Sequence, residues 1–328
     1  MHASVVAFAL VASVVSATID FTSSAMTFDG SSDKVLPYLL AQSTDVADDA
    51  IELAKICIHG LQRKASECFA FDQDRFDQAN AVLLAPIFKT ATALDGCPTA
   101  AAAANEVGWK TCNAFADGQR PSNDDGGAPD AYSMLDALVL HVKATYPNVR
   151  AIQIFGFSLG GQTVNRYAAL TTIESDPALD GVVDVTFLAA SASSWLFPDA
   201  MRPVQQPDGS VAFEVPATDC AYNTFKYGLD GIDASLEYPA YDAAPARVAD
   251  RLATRIVYGI NLNDTGMTDT SCASRSQGPN SRVAKMQLYM QYFAHVYGTQ
   301  PTSFAVGGCG HSAECFYADE AAQDAVFP

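Results

Sequence analysis

The sequence predicts an α/β protein in which a mostly parallel β-sheet is covered by helices on both faces. Short apolar runs typical of buried strands alternate with longer stretches whose apolar residues recur at helical spacing. No internal repeat or low-complexity linker interrupts this alternation. We therefore expect one domain over residues 18–328, preceded by a separate segment over residues 1–17.

Each element follows from its local pattern. Short apolar runs predict the strands, and they lie at 53–58, 81–85, 149–155, 183–190, 255–259 and 302–306. Apolar residues at helical spacing predict helices over 131–146 and 283–297. The stretch from about 193 to 250 has no strand rhythm and is rich in aromatic residues. It predicts a lid-like insertion, in which Trp195 and Phe197 either line a substrate pocket or serve in packing.

The first seventeen residues are typical of a secretory signal peptide. An apolar run from Val5 to Val15 is followed by the small residues Ser16 and Ala17. A buried first strand or a membrane anchor is the alternative, although the run is short for a span of about 20 residues. We therefore expect a secreted protein.

Eight cysteines, an even number, fit an oxidising destination. The sequence does not fix the connectivity; our hypothesis pairs Cys309 with Cys315, Cys220 with Cys272 and Cys97 with Cys112, which leaves Cys57 and Cys68 available for a fourth bridge. No cysteine spacing accompanies histidines in a zinc-like pattern, so we expect no metal.

The net charge of −18 is unfavourable for binding nucleic acid or an anionic membrane surface, because the long-range field repels both. We expect no nucleic-acid partner and no stable membrane insertion. The expected partner is a small-molecule or polymer ester substrate, and the oligomeric state stays open.

The segment Gly156-Phe157-Ser158-Leu159-Gly160 lies between a predicted strand and a helical pattern. A serine on so sharp a turn cannot have bulky neighbours two residues away, which explains the glycines. This layout is typical of a nucleophile elbow, and it predicts Ser158 as the nucleophile of a hydrolase.

A serine nucleophile needs a base, and His311 is the leading candidate. It lies in a glycine-rich loop just after the last predicted strand, from where it can reach back over the sheet edge. His141 and His295 fall inside helical patterns, and His59 has another predicted use.

The base needs an acid, which we assign to Asp264, shortly after the strand that ends at Gly259. The chain order serine, acid, histidine is the order expected of this kind of sheet. Asp269 is close enough to compete, whereas Asp184 opens its strand at the wrong end.

Two backbone amides should stabilise the developing oxyanion. One is the amide of Leu159, directly after the nucleophile. The other should come from the turn after strand 53–58, where Leu61 is the first choice and Gln62 the second. His59 is expected to organise this turn by hydrogen bonding.

These motifs resemble the α/β-hydrolase superfamily. The resemblance rests on Ile56-Cys57-Ile58-His59-Gly60, on the elbow continued by Gly161-Gln162, and on Gly310-His311. The segments 220–223, 226–229, 269–272 and 277–278 further resemble a subgroup of microbial secreted hydrolases. The resemblance implies the fold and the triad for nearly the whole chain after residue 17.

The sequence as a whole predicts a secreted serine hydrolase, with carboxylesterase activity as the first reading. This chemistry requires no cofactor. A peptidase or amidase with the same triad is the first alternative. A non-catalytic secreted binding module on the same fold is the second.

Overall fold

An eight-stranded sheet forms the centre of the protein. The computed structural model describes residues 19–28, 32–95, 97, 100–124, 127–179, 184–266 and 269–327. Its strands are β1 Thr22–Thr27, β2 Val35–Gln42, β3 Leu53–Ile58, β4 Ala81–Pro86, β7 Ala151–Phe157, β8 Asp184–Ala190, β11 Ile256–Asn261 and β12 Ser303–Val306. The spatial order is β1-β2-β4-β3-β7-β8-β11-β12. From β4 onward every neighbouring pair is parallel, which confirms the predicted mostly parallel sheet.

The six predicted strands are β3, β4, β7, β8, β11 and β12, with ends shifted by at most two residues. The sequence reading missed β1 and β2, which pair antiparallel with each other, while β2 pairs antiparallel with β4. Strand β2 contains Pro37, and a proline inside an apolar run argues against a strand. Pro37 has no N–H to donate, but its carbonyl accepts a hydrogen bond from the Ile87 amide at 2.8 Å, so the residue still pairs with the chain that leaves β4.

Helices cover both faces of the sheet, as predicted. They are α1 Gln73–Gln78, α2 Ala131–Thr145, α3 Leu159–Leu170, α4 Ile232–Ser235, α5 Pro245–Thr254, α6 Cys272–Arg275, α7 Arg282–Val296, α8 Ala313–Ala318 and α9 Glu320–Val326. Apolar residues of α2, α3, α5 and α7 form the core on one face. Residues of α1, α8 and α9 form a second core on the other face. Among the described residues, no helix has the length and apolarity that a membrane span requires.

Small elements complete the chain. Two short pairs, β5 Lys89–Thr90 with β6 Gly108–Trp109 and β9 Arg202–Gln205 with β10 Val211–Glu214, lie outside the main sheet. The hairpin β9–β10, helix α4 and most of α5 fall within the predicted insertion, residues 193–250.

The four disulfides are those predicted from the sequence: Cys57–Cys68, Cys97–Cys112, Cys220–Cys272 and Cys309–Cys315. The bond between Cys57 and Cys68 joins the end of β3 to the 3-10 helix Ala65–Phe69. The bond between Cys309 and Cys315 closes a short loop between β12 and α8. These two bonds lie on the two loops where the sequence predicts catalytic groups.

A half-buried carboxylate, Asp136 on α2, ties the insertion to the helical layer. It accepts hydrogen bonds from Tyr167 of α3 at 2.5 Å and from Tyr238 of the insertion at 2.7 Å. Burial raises the pKa of Asp136 to about 6, against a usual value of 3.8, although the tyrosine hydroxyls favour the ionised form. The carboxyl group therefore holds its proton more tightly in the folded chain than in the unfolded chain.

We predict that Asp136→Asn changes how stability depends on pH. A raised folded pKa means that the carboxyl group contributes stability below about pH 4, and that this contribution is lost as the pH rises through 6. The melting temperature of the wild type relative to the variant should therefore fall by about 3 °C or more between pH 4 and pH 7. Thermal unfolding at several pH values measures it, with Asp184→Asn as the control for net charge. A constant difference would contradict the prediction.

Candidate active site

Ser158 occupies the tight turn between β7 and α3. Its backbone has φ 61° and ψ −118°, a region that residues other than glycine rarely adopt. The Ser158 amide donates to the Ala190 carbonyl at 2.9 Å, and the Ser158 carbonyl accepts from the Gln162 amide at 3.1 Å. Strand β8 and helix α3 therefore hold the strained turn in place and keep the serine half-exposed at the sheet edge.

The glycines after Ser158 permit this turn. A methyl group on Gly160 would lie 1.9 Å from the Ile58 carbonyl oxygen, and one on Gly161 would lie 2.3 Å from the Ala190 carbonyl oxygen. Real side chains never approach backbone that closely. Helix α3 can therefore start directly against β3 and β8 only with glycine at these two positions.

The structure brings Ser158, His311 and Asp264 together from three separate loops. His311 Nε2 lies 2.9 Å from Ser158 Oγ, and His311 Nδ1 lies 2.6 Å from Asp264 Oδ2. The Asp264 side chain is fully buried, whereas the His311 ring is one-third exposed. A neutral ring with its proton on Nδ1 donates to the carboxylate and accepts from the serine hydroxyl. This is the geometry of a general base and its orienting acid.

The competing residues of the sequence analysis lie elsewhere. Asp269 accepts hydrogen bonds from Tyr227 and from the Ser271 amide. His141 packs edge-on against Tyr38, and the ring of His295 lies beside Phe213. Asp184 is exposed at the start of β8.

His59 organises the turn after β3, as predicted. Its Nδ1 lies 2.9 Å from the Gly60 carbonyl oxygen, and its Nε2 accepts the Phe88 amide at 3.0 Å. Burial lowers the pKa of His59 to about 4, and the nearby charge of Arg63 acts in the same direction. The ring is thus neutral above that pH, with its proton on Nδ1, and it connects this turn to the chain after β4.

Two backbone amides are expected to hold an oxyanion. The Leu61 amide lies in this turn, and the Leu159 amide lies in the elbow. A methyl group on Gly60 would lie 3.6 Å from Ser158 Cβ, so the turn borders Ser158. The Gly60 carbonyl is held by His59 and by the Arg63 amide, and in a trans peptide the next N–H, that of Leu61, points the opposite way. The Leu159 amide belongs to the first turn of α3, where helix amides have no intrahelical partner.

Trp195 and Phe197 lie in the core rather than on an exposed pocket wall. Their relative exposures are 0% and 1%, and both rings pack against Tyr289, at 5.2 and 4.9 Å between centroids. The chain that leaves β8 packs against helix α7, so the first aromatic residues of the insertion are buried. Both side chains therefore serve in packing.

Sequence reasoning did not identify two contacts of the site. Arg282 Nη1 donates to Asp264 Oδ1 at 2.9 Å, and the Phe157 ring lies 5.0 Å from the His311 ring. A signal for Arg282 was present, because an arginine directly after a helix-capping serine, Ser281, faces the positive end of the helix dipole. Such an unfavourable position indicates that an acidic partner lies nearby.

Several solved structures resemble this one at low sequence identity. A poly(aspartic acid) hydrolase from Sphingomonas sp. KT-1 has a TM-score of 0.62 and 17% identity, over 95% of this chain and 100% of its own. A poly(3-hydroxybutyrate) depolymerase from Bordetella parapertussis has a TM-score of 0.59 and 15% identity, over 94% and 95%. An S-formylglutathione hydrolase from Agrobacterium tumefaciens has a TM-score of 0.52 and 10% identity, over 94% and 96%.

No protein-family model and no curated protein sequence matches this chain. The structural likeness extends over almost the full length of this chain and of each of the three compared chains. Together with the strand order, it shows that the chain has the fold of the α/β-hydrolase superfamily.

Proposed function

We propose that this protein is a secreted serine hydrolase that cleaves carboxylic esters through an acyl-enzyme on Ser158. The observation that carries the proposal is the pair of hydrogen bonds from Ser158 Oγ to His311 and from His311 to the buried Asp264, at 2.9 and 2.6 Å. Serine becomes nucleophilic when a base within hydrogen-bond reach takes its proton, and a third group must orient that base. These three side chains meet both requirements.

The reaction runs in two halves. Ser158 Oγ attacks the ester carbonyl while its proton passes to His311 Nε2, and the C–O bond to the alcohol then breaks as His311 protonates the leaving oxygen. Water next attacks the acyl-enzyme and gives a proton to His311, and His311 then passes this proton to Ser158 Oγ as the acyl C–O bond breaks, which releases the acid and regenerates the free enzyme. Asp264 keeps its charge throughout, fixes the ring orientation and stabilises the imidazolium.

The amides of Leu159 and Leu61 form the proposed oxyanion hole. Leu159 supports this role through its place at the start of α3, where the helix dipole adds positive potential. The Leu61 amide is oriented for this role because His59 holds the preceding Gly60 carbonyl in place. Amides that are already oriented need no rearrangement during the reaction, and one such donor contributes about 10²-fold or more to kcat.

Two loops that carry proposed catalytic groups also expose apolar side chains. Leu61 and Leu262 are 44% and 49% exposed, on the turn after β3 and on the loop that precedes Asp264. Exposed leucines on two loops of the site support an acyl group with apolar character. One structure with this fold is named as a depolymerase of a polyester, poly(3-hydroxybutyrate), and another as a hydrolase of a polyamide, poly(aspartic acid), which supports testing polymeric esters and amides as well as small esters.

The insertion at 193–250 is proposed to act as a fixed wall beside the site. Lys226 pairs with Asp117 at 3.0 Å, Tyr227 donates to Asp269, and Cys220 is bonded to Cys272. These ties connect the insertion to neighbouring segments of the chain. The four disulfides support secretion, because such bonds persist in oxidising compartments.

Labelling with a fluorophosphonate probe tests the proposed function. We expect the purified, disulfide-intact protein to be labelled at Ser158, because an activated serine attacks phosphorus as it attacks a carbonyl. Ser158→Ala should remove both the label and at least about 10³-fold of kcat. Mass spectrometry locates the adduct. Absence of the label from folded wild-type protein would favour the binding-module alternative.

Paired substrates distinguish an esterase from an amidase or peptidase. An ester and the amide of the same acid are compared by kcat/KM, and we expect a clear preference for the ester. Faster cleavage of the amide would assign the triad to the alternative reaction.

We predict that His59→Phe lowers kcat by about 10- to 100-fold with little change in KM. Phenylalanine fills the same space between Phe88 and Phe115 but cannot hold the Gly60 carbonyl, so the Leu61 amide loses its orientation. Steady-state kinetics measures the effect. His141→Phe replaces a histidine that also packs on an aromatic ring and should retain the wild-type kcat. An equal loss in both variants would contradict the role of His59.

We predict that replacing Cys309 and Cys315 by serine lowers kcat by about tenfold at a temperature where the protein stays folded. The bond closes the loop that carries His311, and without it the ring is less well placed against Ser158. The matched control replaces Cys97 and Cys112, whose bond closes a loop that contributes no group to the proposed mechanism. That variant should keep its kcat. Comparable losses in the two variants would indicate a general effect of disulfide removal.

A further inference from the structure

Asp264 bridges two side chains that can both carry positive charge. His311 Nδ1 lies 2.6 Å from Oδ2, and Arg282 Nη1 donates to Oδ1 at 2.9 Å. The Asp264 side chain is fully buried and that of Arg282 is 11% exposed, so water screens the ion pair weakly. The Asp264 carboxylate therefore interacts with both the His311 ring and the Arg282 guanidinium group.

The stability of helix α7 does not explain the arginine. Arg282 is the first residue of α7, after the capping Ser281, whose side chain accepts the Ala284 amide. A cation there opposes the positive end of the helix dipole. Among the described residues, Arg282 Nε has no hydrogen-bond partner, so the group is only partly satisfied. Its contact with Asp264 is the interaction that compensates.

We propose that Arg282 is a positioning residue that orients Asp264 and limits how strongly this carboxylate promotes proton uptake by His311. This inference rests on the proposed hydrolase function. Protonation of His311 places an imidazolium next to a carboxylate that already faces a guanidinium, and the two cations repel each other. Arg282 therefore keeps the base unprotonated, and the enzyme active, at lower pH than the triad would allow alone.

Other charged groups face this arrangement from neighbouring elements. Glu67, on the 3-10 helix Ala65–Phe69, interacts with both His311 and Glu314 and lies 3.6 Å from Lys64. Burial raises the pKa of Glu67, while Lys64 opposes that change. When ionised, these two carboxylates favour the imidazolium, which is opposite to the effect of Arg282.

On the far side of Arg282, Lys285 lies one helical turn away. It donates to the Ser193 carbonyl and to Ser274 Oγ, and burial lowers its pKa to about 8, with Asp269 acting in the opposite direction. Lys285 has no hydrogen bond to Asp264 in the described part of the chain. The cation in direct contact with the triad acid is therefore Arg282.

Three substitutions separate charge from orientation. Arg282→Lys keeps the charge and loses the planar guanidinium group. Arg282→Gln keeps a hydrogen-bond donor and loses the charge, and Arg282→Met loses both the donor and the charge. The measurement is kcat and KM for an ester between pH 4 and pH 9. Arg247→Met, which breaks an exposed ion pair with Asp242, is the matched control and should leave the profile unchanged.

Removal of the charge should move the acid limb of the pH profile of kcat to higher pH. Without Arg282 the carboxylate attracts a proton to His311 more strongly, so half of the activity is lost at a pH about one unit higher in the Gln and Met variants. Arg282→Lys should keep the wild-type limb. The Met variant should also lose about tenfold in kcat with KM nearly unchanged, because the acid is less well oriented. If Arg282→Met does not fold, Arg282→Gln supplies the same test.

Two results would overturn the proposal. One is an acid limb that stays in place, or moves to lower pH, in the Gln and Met variants. The other is an equal loss of kcat in all three variants with unchanged profiles, which a purely structural role would produce.

A second readout does not depend on turnover. The His311 ring resonance, identified by its loss in His311→Asn, is titrated by NMR in the wild type and in the Gln and Met variants. We expect the midpoint to rise by about one pH unit when the charge is removed. If the wild type cleaves no substrate but this shift occurs, the proposed function fails and the inference about Arg282 stands. If esters are cleaved and no shift occurs, the inference alone fails.

Discussion

The close contact between the start of α3 and the ends of β3 and β8 is the constraint on which the site depends. Gly160 lies directly against the Ile58 carbonyl, and Gly161 lies against the Ala190 carbonyl. Because no side chain separates helix and sheet there, Ser158 is forced into a strained turn and projects from the sheet edge. The same contact places the first amides of α3 beside the end of β3. The proposed nucleophile and the proposed oxyanion donors are thus positioned by one packing arrangement.

The other groups of the site lie on loops, and covalent or ionic ties hold each loop. Cys57–Cys68 anchors the turn of His59 and Leu61, and Cys309–Cys315 closes the loop of His311. The loop of Asp264 has no disulfide of its own among the described residues and is held by Arg282 of α7. Rigid loops matter because a misplacement of about 1 Å can cost a hundredfold in rate. The protein therefore combines a sheet frame with separate restraints on each loop.

Much of the fold could be predicted from local patterns, since each parallel strand is a short apolar run buried on both faces. The proximity of Ser158, Asp264 and His311 could be predicted because each of them follows a strand at the same sheet edge. Strand β2 was missed because Pro37 contradicts the local rule, and its carbonyl contact is visible only in three dimensions. The sequence left Trp195 and Phe197 open between pocket lining and packing, because composition does not tell which way an aromatic ring faces, and the structure buries both. Arg282 was missed because its partner lies 18 residues earlier in the chain, on another element.

The two short disulfide loops have a practical consequence for producing the protein. The described part of the first apolar core contains no cystine and the second contains Cys57–Cys68, whereas the loops of His59 and His311 are each closed by one cystine. A host cytoplasm that keeps thiols reduced would therefore remove one bond from the second core and leave the loops that carry the proposed catalytic groups less restrained. Tests of secondary structure alone would not detect the change in these loops. Export to an oxidising compartment, or refolding with a redox pair, is the preparation that preserves the geometry described above.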